Sequence, residues 1–336
     1  MNADCFLVVD KPPGVTSHDV VAVVRAVTGL KKVGHTGTLD PFATGVLPLA
    51  LGGATRLIQY LDESEKVYDA TVRLGILMDT GDPTGTVIRE APVPAVSKRD
   101  VLAMLATFVG ERMQTPPKYS AVKIAGRPLY EYARKGVEVE AKARPVKIRG
   151  MELVEFDLPI IRVIIRCSRG TYARVLAEEI GAALGTVGHL SALRRIASGP
   201  FHIDHSVSFS RIAEVVAGDP AWDRVLRPSR GEERVPWRDR EAVMTGLAPW
   251  VVSPREALRH HPSLSLSTAE ARRFTTAGVV PAHPGVKSGP FVMLLGDEII
   301  GVAVAGAASA IPLAREQTPP AGERRAPGEG RKVRPS

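Results

Sequence analysis

Cysteine is almost missing from this sequence: Cys5 and Cys167 are the only two in 336 residues. That excludes a disulfide scaffold and a cysteine-based zinc site, and it points to a reducing compartment, the cytoplasm. Long apolar runs are missing as well. The longest uncharged stretch, about sixteen residues from Ile299 to Ala314, is interrupted by Gly301, Gly306 and Pro312. It falls short of the ~20 residues that a bilayer-spanning helix needs. The first residues place Asp4 and Asp10 around a short apolar stretch, unlike a secretory leader. No G-x-x-x-x-G-K-[ST] phosphate loop occurs, so a nucleotide-dependent kinase is set aside. Aromatic residues make up only 5% of the chain, and they are segregated. All six tyrosines lie between Tyr60 and Tyr172, whereas Trp222, Trp237 and Trp250 all come later.

What is present is enough for a sizeable core: 44% of residues are hydrophobic. At roughly 150 residues per domain, the length suggests about two domains. The formal net charge of +8 suits a polyanionic partner without requiring one. The last twenty residues, Gln317–Ser336, hold five basic and two acidic groups and almost no apolar side chains, which reads as a disordered basic tail.

Strand and helix signals are mixed along the first two hundred residues. Cys5–Asp10 reads as a short buried strand, and Ser17 as the cap of a helix reaching Val27 and closed by Gly29. Thr55–Leu61 reads as a short helix. In Lys66–Gly75, Tyr68, Ala70, Val72 and Leu74 alternate with polar residues, the period of a half-buried strand. A helix is expected over Asp100–Val109, a strand over Ile160–Cys167, and a helix over Thr171–Leu184. Mixed elements without a regular repeat suggest an α+β core. Gln114–Arg144 carries Tyr119, Tyr130, Tyr132 and the basic residues Lys118, Lys123, Arg127, Arg134, Lys135 and Lys142, and reads as a protruding loop facing RNA. Arg211–Glu241 balances seven basic against seven acidic residues and reads as a solvated connector, the first part of a segment reaching about residue 259. From Leu264 onward, apolar runs such as Phe291–Leu295 and Ile299–Val304 suggest a small β domain.

The densest signal is the run Gly34-His35-Thr36-Gly37-Thr38-Leu39-Asp40-Pro41-Phe42-Ala43-Thr44-Gly45. Its glycines permit tight turns and close approach of a ligand, and Pro41 holds Asp40 extended so that the carboxylate can face outward. On its own an Asp-Pro pair is most often a surface turn. Here it stands in a series: Asp10-Lys11-Pro12-Pro13-Gly14, the twelve-residue run, Lys66-Val67-Tyr68, Cys167-Ser168-Arg169-Gly170-Thr171-Tyr172-Ala173-Arg174, and His189-Leu190-Ser191-Ala192-Leu193-Arg194-Arg195. In this order the motifs resemble the bacterial TruB-type tRNA pseudouridine synthases, from about Cys5 to Phe201. A weaker likeness of the last part is to a PUA-like module. The Trp-bearing stretch around Gly218–Pro249 and the basic tail depart from the family's pattern.

The resemblance implies isomerisation of uridine to pseudouridine at position 55 in the T-loop of tRNA. It also implies a mixed, largely antiparallel sheet flanked by helices and followed by a PUA-like domain. The expected organisation is a catalytic domain over 1–210, a connector over 211–259, a PUA-like β domain over 260–316 and a tail over 317–336. The reaction breaks N1–C1′, turns the base and joins C5 to C1′. Nothing is added or oxidised overall, so no cofactor and no metal are implied. What it needs is a flipped base, a carboxylate and a dry pocket.

The resemblance makes Asp40 the catalytic carboxylate and Arg174 the partner that keeps it ionised. An ion pair at 4 Å is worth about 4 kcal/mol at an effective dielectric near 20, enough to offset part of the desolvation. It makes Tyr68 the ring that stacks on the uracil, with its hydroxyl a candidate for proton transfer at C5. Tyr172 and Leu193 would contact the nucleotide, His35 would enter the T-loop where the base has left, and Lys11 with Pro12 would buttress the pocket. Arg194–Arg195 and the Gln114–Arg144 loop are the candidates for phosphate contacts. The expected partner is the tRNA T-stem-loop, bound by a monomer with no obligatory protein partner and no membrane. A tRNA-folding chaperone and a guide-RNA-directed synthase are the alternatives. Only four residues precede the first strand, which favours the stand-alone enzyme over the guided one.

Overall fold

The structure is a computed structural model that describes residues 4–62, 65–227, 235–281, 285–305 and 310–313. Five apolar residues in a row, Cys5 to Val9, make β1 (Cys5–Lys11) a strand covered on both faces. The chain turns through Gly14 into α1 (Ser17–Thr28), which ends at Gly29 in the left-handed conformation. Thr16, not Ser17, is the cap. Thr16 forms a reciprocal capping box with Asp19, while the buried Ser17 hydroxyl is committed to Leu39.

β2 (Val33–His35) and β3 (Thr44–Leu51) enclose the glycine-rich loop. The helix expected over Thr55–Leu61 is instead two 3-10 turns, Gly52–Arg56 and Ile58–Tyr60, the tighter form that short helical segments adopt. β4 (Lys66–Leu74) buries Tyr68, Ala70, Val72 and Leu74 on one face, with Asp69 and Thr71 half-buried on the other. A hairpin of β5 (Ile76–Met78) and β6 (Val87–Glu90) follows, and then α2 (Lys98–Ala106), capped by Ser97. After β7 (Gly110–Gln114) the chain leaves the sheet for a small hairpin, β8 (Lys123–Ile124) with β9 (Arg127–Pro128), and α3 (Leu129–Arg134). It returns as β10 (Arg144–Asp157) and β11 (Ile160–Cys167), then α4 (Ala173–Ala183) and β12 (Gly188–Ser198).

These strands form one mixed sheet in the order β14-β1-β3-β12-β4-β11-β10-β7, where β14 is Val207–Ser208. Along that path only β14 with β1 and β12 with β3 pair in parallel. β2 adds to β3, while β13 (Phe201–His202) adds to β12 and β15 (Val251–Val252) to β1. The α+β expectation therefore holds. β12 runs beside β4 over most of its length but meets β3 at only two pairs, Arg194 with Thr44 and Arg195 with Gly45. The sheet parts there, directly beside the loop that carries Asp40.

α5 (Phe209–Ala217), α6 (Trp222–Leu226) and α7 (Arg240–Leu247) correct the reading of Arg211–Glu241 as a solvated connector. Their apolar faces, including Ile212, Val216, Val225, Val243 and Leu247, lie in the same core as α1 and α4. Balanced charge summed over a segment hides the 3.6-residue period by which short helices present one face inward. The chain divides into two compact units at His261/Pro262. The second unit has its own sheet, β16 (Ser263–Ser265), β17 (Gly289–Leu295), β18 (Glu298–Ala305) and β19 (Ala310–Pro312) in that order, with the helix Thr268–Ala277. Leu266, Phe274, Phe291 and Met293 form its core. The expected tail at 317–336 lies outside the described residues. Among the described residues no helix is long and apolar enough to cross a membrane.

Gly45 has φ +101°, and a Cβ there would stand 2.2 Å from the carbonyl oxygen of Arg195. Gly45→Ala should therefore destabilise the first unit by about 3 kcal/mol or more, read as a lowered midpoint in denaturant unfolding.

Candidate active site

The loop from Thr36 to Ala43 contains no regular structure, so its backbone polar groups need partners from elsewhere. They come from buried side chains. Ser17 Oγ accepts from the Leu39 amide at 2.9 Å and donates to the Leu39 carbonyl at 3.2 Å. Arg195, 0% exposed, donates Nη2 to the Gly37 carbonyl (3.0 Å), Nη1 to that of Thr38 (3.3 Å) and Nε to that of Val46 (2.7 Å). Lys11, also 0% exposed, directs its ammonium at the carbonyls of Val15 (2.7 Å), Pro12 (2.9 Å) and Pro41 (3.1 Å). The Gly14 amide adds a second donor to Pro41. Burial pulls the Lys11 ammonium down to about 8, with the Asp40 charge opposing. The loop is thus held by two buried cations from outside it.

That scaffold leaves the Asp40 carboxylate one-third exposed, facing Arg174. Arg174 approaches side-on, Nε at 2.9 Å from Oδ2 and Nη2 at 3.2 Å from Oδ1. Its remaining donors are also committed, Nη1 to the Thr80 carbonyl (3.0 Å) and Nη2 to that of Tyr119 (2.8 Å). Asp82 Oδ2 lies 3.7 Å from Nη1. Burial raises the Asp40 carboxyl above the ordinary range, with Arg174 opposing most strongly and Asp82 adding to the rise. One guanidinium therefore joins the glycine-rich loop, the β5–β6 turn and the segment after β7 around one carboxylate.

The remaining expected residues are placed as follows. Tyr68 is buried on β4 with the Arg195 guanidinium beside its phenol and within reach of the Asp40 charge; burial raises its hydroxyl. Tyr172 stands half-buried at the start of α4, where burial raises its phenol, and Arg174 and Asp40 both act on it. With Lys11, these residues gather around Asp40. His35 lies on β2, with His18 edge-on at 5.5 Å. Burial, His18 and Arg195 hold its imidazole below the usual value, and its Nδ1 is buried without a partner among the described residues. Leu193 is buried on β12, opposite Ala70 in the β12–β4 register.

Arg195 is not available to a phosphate, which corrects the expectation for Arg194–Arg195: it lies entirely inside and is committed to three carbonyls. Arg194 is partly exposed and paired with Asp10. Two residues of the site escaped sequence reasoning. Asp82 stands in Gly81-Asp82-Pro83, but the same triplet recurs at Gly218-Asp219-Pro220 away from the site, so the pattern alone does not mark it. Gln114, 2% exposed, accepts from the Tyr172 amide at 2.8 Å and donates to its carbonyl at 3.3 Å, fixing the start of the helix that carries Arg174. Nothing local in the sequence marks it.

Arg195→Met should leave three carbonyls without donors, costing about 3–5 kcal/mol in unfolding measurements and loosening the Asp40 loop. Arg195→Lys, with one cationic end in place of a fork, should recover only part of the loss.

The fold has counterparts among solved structures. The fold matches the Cbf5-Nop10-Gar1 complex with a TM-score of 0.65 at 27% identity, over 90% of this chain and 78% of that one. An H/ACA ribonucleoprotein bound to a substrate RNA containing 2′-deoxyuridine matches at 0.63 and 25%, with the same coverage. The family model described as TruB family pseudouridylate synthase (N terminal domain) matches residues 25–173, and that of the tRNA pseudouridylate synthase B C-terminal domain matches 174–230. The tRNA pseudouridine synthase B of Geobacter sulfurreducens is 42% identical over 90% of this chain and 93% of its own length. That of Geotalea uraniireducens is 41% identical over 92% and 91%. The fold and the sequence matches are those of a pseudouridine synthase. The chain belongs to the TruB family of tRNA pseudouridine synthases.

Proposed function

We propose that this chain isomerises the uridine at position 55 in the T-loop of tRNA, drawing the base out of its stack into the cleft beside Asp40. The observation that carries the proposal is the two-point clasp of Asp40 by Arg174 on a loop whose backbone is held by buried cations. A carboxylate held in this way is a well-aimed anion, suited to act at C1′ as N1–C1′ breaks. The Tyr68 ring stacks on the detached uracil, a contact worth roughly 1–3 kcal/mol by analogy with single-strand binders. Its hydroxyl relays the proton that leaves C5 when C5–C1′ forms, and N1, freed from C1′, takes a proton up. Arg195, beside that hydroxyl, opposes the effect of burial on it. Tyr172 and Leu193 bound the nucleotide.

His35, held neutral by burial and neighbouring cations, fills the gap in the loop stack, which offsets part of the few kcal/mol that flipping costs. The segment after β7, with Lys123, Arg127, Arg134, Lys135 and Lys142, supplies phosphate contacts, and the second unit, as a PUA-like domain, extends the grip on RNA. Identity of 41–42% over nine-tenths of the chain to synthases named for tRNA, against 25–27% to the ribonucleoprotein subunits, favours a cytoplasmic enzyme acting alone as a monomer.

Asp40→Asn should abolish pseudouridine formation in a T-stem-loop transcript while binding persists, as read by mapping the product and by filter binding. Because the ionised carboxylate is the working form and burial raises its pKa, the single-turnover rate should fall on the acid side above the ordinary aspartate value of about 3.9. Arg174→Lys should move that acid limb to higher pH, since Arg174 is the strongest influence lowering it. An unmoved limb would exclude Asp40 as the titrating group. Asp82→Asn, which removes an influence that raises the Asp40 pKa, should shift the limb the other way.

A further inference from the structure

We infer that a groove beside the catalytic loop is a second nucleobase subsite, which reads a base neighbouring the reacting uridine through Arg162. The inference rests on the proposed flipping of a loop uridine beside Asp40. The groove has a volume of about 680 Å³, within the roughly 300–1,000 Å³ of small-ligand sites. Pro41, the residue after Asp40, and Phe42 stand at one side, and Leu193 lines it as well. It therefore opens beside the loop that carries Asp40.

Its lining carries Arg162, Asp69 and Arg194, and Asp10, outside the lining, pairs with Arg194 to complete a row of alternating charge. Arg162 grips Asp69 with Nε to Oδ1 at 2.8 Å and Nη2 to Oδ2 at 2.5 Å. Arg194 grips Asp10 at 3.1 and 2.7 Å, and the β12–β4 register sets Arg194 opposite Asp69. In both pairs the acid lies deeper: Asp69 and Asp10 are 16% and 24% exposed, their arginines 43% and 40%. The four charges sum to zero. A groove for phosphates would retain an excess of cation, because phosphate affinity comes from net positive charge. A guanidinium pinned at two points has instead a fixed plane and a fixed outer edge. Arg162 keeps Nη1 uncommitted among the described residues. Such an edge matches paired ring acceptors, as on guanine O6 and N7. The half-buried Phe42 offers a stacking surface, and Thr71 and Ser191 offer hydroxyls on the same lining. Fixed donors, a ring and little net charge describe a base pocket.

The test is a cycle between Arg162→Met and T-stem-loops carrying one abasic nucleotide at each position flanking the target uridine, under single-turnover conditions. On the intact stem-loop the variant should need about ten-fold more enzyme for half-saturation, the scale of one good arginine–base contact, with the plateau rate held. On one particular abasic substrate that difference should vanish. An equal loss on every abasic substrate, or none on the intact one, would overturn the inference. Should Arg162→Met not fold, Arg162→Lys, which keeps a cation for Asp69 but not the planar fork, must show the same pattern. Mapping the product of the wild-type enzyme on whole tRNA keeps the two readings separate. If another uridine is modified, the position-55 proposal fails and the cycle is run around that uridine.

Discussion

An anion that must stay charged away from bulk water needs a counterion whose geometry cannot drift. In this enzyme the requirement is met by Arg174, which faces Asp40 with two nitrogens and commits its other contacts to the Thr80 and Tyr119 carbonyls. Much of the surrounding architecture can be understood as the means of bringing that one guanidinium and that one carboxylate together. α4 supplies the arginine, and Gln114 clamps its first turn through Tyr172. The β5–β6 turn and the segment after β7 supply the carbonyls. The parting of β3 from β12 gives the aspartate an open position at the centre of the sheet rather than at its edge.

The loop that carries Asp40 has few hydrogen bonds of its own and takes its shape from three buried side chains. Lys11 and Arg195 each exchange water for three carbonyl oxygens, so two cations are held inside the protein without a carboxylate in direct contact among the described residues. That arrangement works because a guanidinium has five N–H groups and an ammonium three, and each carbonyl presents two lone pairs. It also explains why a run so rich in glycine can be rigid. Its freedom is removed by partners distant in sequence, Ser17 and Lys11 on one side and Arg195, roughly 150 residues further on, on the other.

Charge in this molecule is arranged at two depths. Fully buried cations shape the backbone, whereas half-exposed arginines are tied to acids along the groove. Adjacent residues on β12 fall into different classes, Arg195 inside and Arg194 on the groove, because successive side chains on a strand point to opposite faces.

Much of this was legible in the residues alone. The alternation in β4, the apolar runs of β1 and β11 and the left-handed stop at Gly29 led to the α+β core, since each rests on local periodicity or on a contiguous run, and the ordered motifs led to the family, whose resemblance implied Asp40 with Arg174. Other features were decided only by packing at long range. These include the clamp of Gln114 on Tyr172, the approach of Asp82 to Arg174, the inward turn of Arg195, and the folding of α5 to α7 into the core. The same residue type, arginine, serves as partner of Asp40 at 174, loop brace at 195 and groove lining at 162. A sequence states that a guanidinium is present; which acceptors surround it depends on strands and turns brought together from distant parts of the chain.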